Sequence, residues 1–292
     1  MRLTIAAAAL LSLMGLLAAC APATVAQPAT PTPTVEEPTS LPSLTEPPAT
    51  TVPEEATPVP ETPSLPEAQR VAFSSEDGTP LVGIYYPPAV GPAPGVLLMH
   101  QMGVDKEIWE PLLPALRGQE GAARPGSGYA VFAFDFPAHG ESGGEFSDQA
   151  ALAAARTALA LMRTFEGVDA DHIALIGASI GADAAVDECN EGCVGAVSIS
   201  PGSYLGVDYQ QALADLQAEK DPPVLCIASR EDFPSPATCQ SGETVGLADY
   251  QVHIYEGNVH GNYLFFEEDL TPPPLIRDLI VQWLAERLPP VP

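Results

Sequence analysis

Positive charge is what this chain has least of. Its 292 residues carry 11 Lys and Arg against 38 Asp and Glu, a formal net charge of −27. Such a surplus repels phosphate backbones and anionic lipid headgroups, which excludes nucleic acid as a partner and favours neutral or cationic substrates over polyanions. Residues 21 to 68 contain no Lys, no Arg and no aromatic residue at all. That stretch is Pro, Thr, Ala and Glu, too poor in apolar surface to offset the entropy of ordering. It is expected to be an extended, solvated tether; at about 3.1 Å per residue it would reach up to roughly 140 Å. An internal repeat is also lacking, which excludes solenoid and propeller arrays.

The N-terminus has a different character. Arg2 precedes an apolar run from Leu3 to Leu17, and Leu17-Ala18-Ala19-Cys20 closes it with small residues before a cysteine. This resembles a bacterial lipobox, which implies a signal peptide over 1–19, a lipid on Cys20 and a membrane-anchored, extracytoplasmic protein. The run is marginal for a spanning helix of about 20 residues, so an uncleaved anchor is the alternative reading. The expected organisation is 1–19 signal, 20–68 lipidated Cys and tether, and 69–292 one folded domain, a length that supports a sizeable core.

Within that domain, short apolar runs alternate with helical stretches. Val71-Ala72-Phe73 and Leu81 to Tyr86, separated by Glu76-Asp77-Gly78-Thr79-Pro80, read as a hairpin. Continuous apolar runs follow at Gly95 to His100, Tyr129 to Asp135, Ile173 to Gly177, Val194 to Ile199 and Val224 to Ala228, and an alternating one at Gln251 to Tyr255. Continuous rather than alternating runs are expected of strands buried on both faces of a parallel sheet. Helices are expected at 108–117, 147–165, 179–187, 209–218 and 275–287. The alternation predicts an α/β domain, a mostly parallel sheet of about eight strands with helices on both faces.

One junction carries chemistry. The run His172 to Gly177 leads into Ala178-Ser179-Ile180-Gly181-Ala182 and an alanine-rich stretch. This is a strand, a sharp turn and a helix, with a serine at the apex and glycines two positions to either side. Small residues are needed there because a larger Cβ would strike neighbouring backbone. The helix that follows aims its first N–H groups at any carbonyl the serine attacks.

Four cysteines remain beyond Cys20. An even count in an exported chain points to disulfides, and Cys189–Cys193 and Cys226–Cys239 are the pairs proposed from three possible connectivities. Free buried thiols are the alternative. No His-accompanied spacing of a zinc site is present, and no metal is expected. Asp183 and Asp187, one turn apart after the serine, are expected to form a solvated face.

The stretches Val96 to His100, Asp135-Phe136-Pro137-Ala138-His139-Gly140-Glu141-Ser142, the Ser179 elbow, Ser200-Pro201-Gly202 and two late loops together resemble the α/β-hydrolase superfamily over essentially all of 70–292. The closest likeness is to its bacterial esterase and dienelactone-hydrolase-like branch. The resemblance implies a nucleophile, acid and base in that chain order at the C-terminal edges of successive strands. It assigns Ser179 as nucleophile. His260, in the glycine-flanked loop Glu256 to Gly261, is the implied base, with His253 the lesser alternative. Asp232 is the implied acid, with Glu231 the fallback. The implied oxyanion donors are the backbone N–H groups of Ile180 and of Met102, with Gln101 the alternative because the usual glycine after His100 is missing. His139 is expected to organise a turn beneath the site. No cofactor is implied. The short stretch between Ile199 and Val224 leaves little room for a lid, so an open site for small-molecule or polymer-attached esters is expected. A peptidase, an acyltransferase or a catalytically silent binding protein on the same scaffold are the rival readings.

Overall fold

The computed structural model describes residues 65–119 and 128–288. The expected signal segment, Cys20 and nearly all of the tether lie outside the described residues. Among the described residues, no helix is long and apolar enough to cross a membrane.

Eight strands run β1 Gln69–Ser74, β2 Pro80–Tyr86, β3 Ala93–Met99, β4 Ala130–Phe134, β5 Val168–Ala178, β6 Cys193–Ile199, β7 Val224–Ser229 and β8 Tyr250–Tyr255. They form one sheet in the order β1-β2-β4-β3-β5-β6-β7-β8. The β1–β2 and β2–β4 pairs are antiparallel, and every later pair is parallel. Every residue of β3 and β4 is buried.

Side chains alternate between two cores, as the period of two requires. Leu97, Met99, Phe132, Phe134, Ile173 and Leu175 face one, while Val96, Leu98, Val131, Ala133, Ala174 and Ile176 face the other. The first core is covered by α2 Asp148–Met162, α3 Ile180–Asp187 and α4 Tyr209–Glu219, and the second by α1 Leu113–Leu116 and α6 Ile276–Arg287. In α2, Ala151, Ala154, Ala155, Ala158, Leu159 and Met162 make the buried stripe, and Ser147 caps the helix by accepting from Ala150 N–H. This stripe seats closely: a Cβ at Gly95 would lie 2.8 Å from Met162 Cε.

Chain connections leave β3 toward β4 on one side, and β5 lies on its other side. The carboxyl ends of β3 and β5 therefore flank a topological switch point, where open α/β sheets place their crevice. The loop after His100 and the Ser179 turn both emerge there.

Some expected elements changed. The helix foreseen over 108–117 is a 3-10 turn, Lys106–Trp109, and the four-residue α1. Pro111 and Pro114 remove N–H donors from what would have been one helix. A helix α5, Ser235–Gly242, and a 3-10 segment, Gly261–Phe266, were not foreseen. Cys189 is bonded to Cys193 across the α3–β6 loop, and Cys226 to Cys239 between β7 and α5, with Cα separations of 5.1 and 5.5 Å.

Candidate active site

Ser179 stands between β5 and α3 with φ 54° and ψ −114°, a conformation that costs a residue with a Cβ about 1–3 kcal/mol. Local bonds hold it there. Its N–H donates to Ile199 C=O at 2.8 Å, and its own C=O accepts from Ala182 and Asp183 N–H. The flanking glycines are sterically required. A Cβ at Gly177 would lie 1.8 Å from Gly181 O, and one at Gly181 would lie 2.2 Å from Met99 O.

Asp232 sits in the turn after β7, its N–H bonded to Ser229 C=O and its C=O to Ser235 N–H. Both carboxylate oxygens lie 2.9 Å from His260 Nδ1. Asp232 as acceptor places the ring proton on Nδ1 and leaves Nε2 as the acceptor. The acid and histidine loops are zipped together. Ser229 Oγ donates to Val259 C=O at 2.7 Å, Glu231 N–H donates to Gly257 C=O, and Arg230 pairs with Glu256. Glu231 itself is exposed and makes no bond to His260.

The histidine loop is then pressed against the serine turn. Gly261 N–H donates to Ser200 Oγ at 2.9 Å, and a Cβ at Gly261 would be 3.6 Å from Ala178 Cβ. Ser179 and His260 each adjoin a residue of that contact. Among the described residues no hydrogen bond joins Ser179 Oγ to the His260 ring; the two loops meet where Gly261 faces Ala178. His253 lies elsewhere, on β8, with Nε2 3.4 Å from Pro272 O.

The loop after β3 lacks the usual glycine and is held by side chains instead. Buried His100 accepts from Phe136 N–H at Nε2, so its proton is on Nδ1, which donates to Gln101 C=O at 2.7 Å. Burial pushes its pKa down to about 4, against the bond to Gln101, and keeps the ring neutral near neutral pH. In a trans peptide the C=O and the next N–H point oppositely, so fixing Gln101 C=O also aims Met102 N–H. Gly103 N–H donates to His139 Nε2, and the two imidazole rings lie 5.1 Å apart.

A clasp completes the loop. Gln101 N–H donates to Asn262 Oδ1 at 3.1 Å, and Asn262 N–H donates to Gln101 Oε1 at 2.6 Å. Since Gln101 N–H is taken, Met102 N–H is the available donor of the two alternatives. Ile180 N–H opens α3 and has no acceptor within the helix. Replacing Asn262 by Ala would leave the buried Gln101 N–H unpaired, a loss of about 1–2 kcal/mol. A thermal melt should register that as a fall of roughly 3–6 °C; an unchanged Tm would show that the clasp carries no stability.

Two further groups support the site. Lys106 is buried and bonded to Asp135, Glu107 and Glu141. Burial works against its charge, yet these partners hold its pKa above the usual lysine value. The reading of Asp183 as part of a solvated face is corrected. It is buried, and Gly202 and Tyr204 N–H groups donate to it, fastening the loop that lays the Tyr204 ring against His260. Burial raises its pKa to about 6, opposed by those N–H groups. Asp187 is only partly buried, so the pair shares no solvated face.

Among the described residues, no group of three His, Cys, Asp or Glu is arranged to hold a metal ion. A cavity of about 570 Å³, lined by Tyr85, Phe165, Glu166 and several prolines, lies at the amino ends of β3 and β5, away from Ser179, Asp232 and His260.

Solved structures with this architecture include an esterase of Pyrococcus furiosus, at TM-score 0.60 and 19% identity, covering 80% of this chain and 95% of that one. The α/β-hydrolase GrgF of a Penicillium species gives TM-score 0.60 and 14% identity over 76% of this chain and 99% of its own. An esterase of Pyrobaculum calidifontis gives 0.54 and 18% over 77% and 85%. The fold is the α/β-hydrolase fold. In sequence, 123 residues are 32% identical to uncharacterized proteins of two Mycobacterium tuberculosis strains. The matched stretch spans 42% of this chain and 41% of theirs. No protein-family model matches the chain.

Proposed function

We propose that this α/β-hydrolase-fold chain is a serine hydrolase acting on carboxylic esters, of the bacterial esterase and dienelactone-hydrolase-like kind. The observation that carries the reading is the Asp232–His260 pair, protonated on Nδ1 and packed by Gly261 against the strained Ser179 turn. Such a pair leaves Nε2 free to take the serine proton.

In the proposed reaction, Ser179 Oγ attacks the ester carbonyl carbon while His260 Nε2 accepts its proton. The carbonyl oxygen becomes an oxyanion received by the Ile180 and Met102 N–H groups. Collapse breaks the bond to the alcohol, which leaves with the proton from His260, and an acyl group remains on Ser179. Water then attacks that acyl carbon and gives a proton to His260; the bond from that carbon to Ser179 Oγ breaks, Oγ takes the proton back from His260, and the acid leaves. Apart from the ester and that water, every group named is a side chain or backbone N–H of the chain. Esters are preferred to amides because two of the similar structures are named esterases. From Arg2, the apolar run and Cys20, we place the enzyme outside the cytoplasm on a lipid anchor.

The test is labelling of the full chain with a fluorophosphonate, followed by mapping of the modified peptide. Label confined to the Ser179 peptide, and lost on prior heat denaturation, is expected. A folded protein that takes no label, or takes it elsewhere, would remove the hydrolase reading.

A further inference from the structure

The distribution of exposed apolar side chains on this acidic protein is uneven. Among the described residues, the large apolar side chains most open to solvent are Phe233 at 75%, Phe266 at 57%, Val90 at 53%, Tyr263 at 50% and Met102 at 45%. Val90 stands apart, in the turn between β2 and β3, while the other four lie on the segments that follow β3, β7 and β8. Met102 follows Gln101 and Tyr263 follows Asn262, so both adjoin the clasp. Phe233 follows Asp232. Tyr204, half-buried, reaches the same place with its ring edge-to-face on His260 at 6.2 Å. Four separate loops of the site thus each carry an apolar side chain, and of these Tyr204 touches the imidazole.

The surface continues along the 3-10 segment from Gly261 to Phe266, about 10 Å at roughly 2 Å per residue. At its far end is a groove of about 370 Å³, lined by Pro111, Leu264, Phe265, Phe266, Leu275 and Ile276. The charges at its margins are mostly negative. Glu267 and Glu268 line the groove and Asp269 is exposed beside them, while Arg277, which also lines it, is paired with Asp278, and Arg230 with Glu256. An anionic group would meet repulsion here, and an uncharged apolar one would find a surface whose exposure otherwise serves nothing.

We propose that Met102, Phe233, Tyr263 and Phe266 form the binding surface for an uncharged alkyl or aryl group of the substrate, several carbons long, running from the ester toward the Phe266 groove. The proposal rests on the hydrolase reading above. Continuity argues for the substrate as occupant, since Met102 supplies both an exposed side chain and the backbone N–H aimed at the carbonyl. The proposal narrows the substrate to esters with an apolar flank and excludes short polar or carboxylate-bearing ones.

The experiment is a series of 4-nitrophenyl esters from acetate to hexanoate, all kept monomeric, with full-length wild type, Phe233→Ser, Tyr263→Ser, Phe266→Ser and Val90→Ser. For wild type and Val90→Ser, kcat/KM should rise about tenfold from acetate to hexanoate, as partial burial of each added methylene predicts. In the Phe233→Ser and Tyr263→Ser proteins that ratio should fall to about twofold, and Phe266→Ser should lower turnover of the longest ester most. Equal kcat/KM across the series, in a protein that fluorophosphonate labels at Ser179, would overturn this proposal and leave the hydrolase reading standing. No labelling and no turnover would remove both. Sedimentation showing a dimer that Phe233→Ser dissociates would also overturn it, by giving the surface a second copy of the chain as occupant.

Discussion

Ser179→Gly and Ser179→Ala should each lower ester turnover by about ten-thousandfold or more, yet differ from one another in stability. The loss follows from the proposed chemistry, since neither residue offers an oxygen for the acyl group, and the remaining donors supply only binding and polarisation. The stability difference follows from the backbone. At φ 54° a Cβ crowds the chain, and alanine keeps that cost while glycine escapes it. Glycine is offset in part by its greater freedom when unfolded. The glycine variant should therefore be the more stable by about 1 kcal/mol, a melting temperature about 2–3 °C higher in a domain of this size. Calorimetry beside an ester assay reads both quantities. Retained turnover in either variant would exclude Ser179 as nucleophile; equal melting would mean the turn relaxes without strain.

The second large effect is expected at the acid. Asp232→Asn preserves shape and the backbone bonds of the turn but presents an N–H₂ that must donate. His260 would then be held with its proton on Nε2, where it cannot accept from a serine. A fall in kcat of about ten-thousandfold with KM little changed is expected. Glu231→Gln is the comparison, because that exposed side chain has no bond to His260. Its effect should stay within about twofold. A larger loss at 231 than at 232 would reassign the acid.

What could be read beforehand was whatever the chain spells locally. β3, β6 and the half of β5 from Ile173 onward are almost wholly apolar because both faces of the sheet are covered there, so their runs stand out without any partner being known. The serine turn is legible for the same reason, its glycines answering to backbone only a few residues away or in an adjacent strand. What depended on distant partners was not legible. Asp183 looks like a surface acid until the loop 19 to 21 residues further on donates its N–H groups. Gln101 and Asn262 meet across 161 residues, and neither belongs to a pattern. Helix α5 was missed because Ser-Pro-Ala-Thr-Cys-Gln-Ser-Gly has weak helix formers and no apolar stripe, so packing and the bond from Cys239 to Cys226 decide it.

The clasp has a bearing on how the protein is born. Synthesis delivers the chain from its N-terminus, and domains take shape as their parts emerge. The sheet centre, the serine turn and residues 100–103 are made long before position 262, which the loop at 101 needs for both of its reciprocal bonds. His260 arrives at the same late moment. On the proposed reading, until position 262 is made the nascent chain carries a serine with neither base nor fixed oxyanion donor. A product truncated before Asn262 would, on the same reading, release no chemistry of this kind.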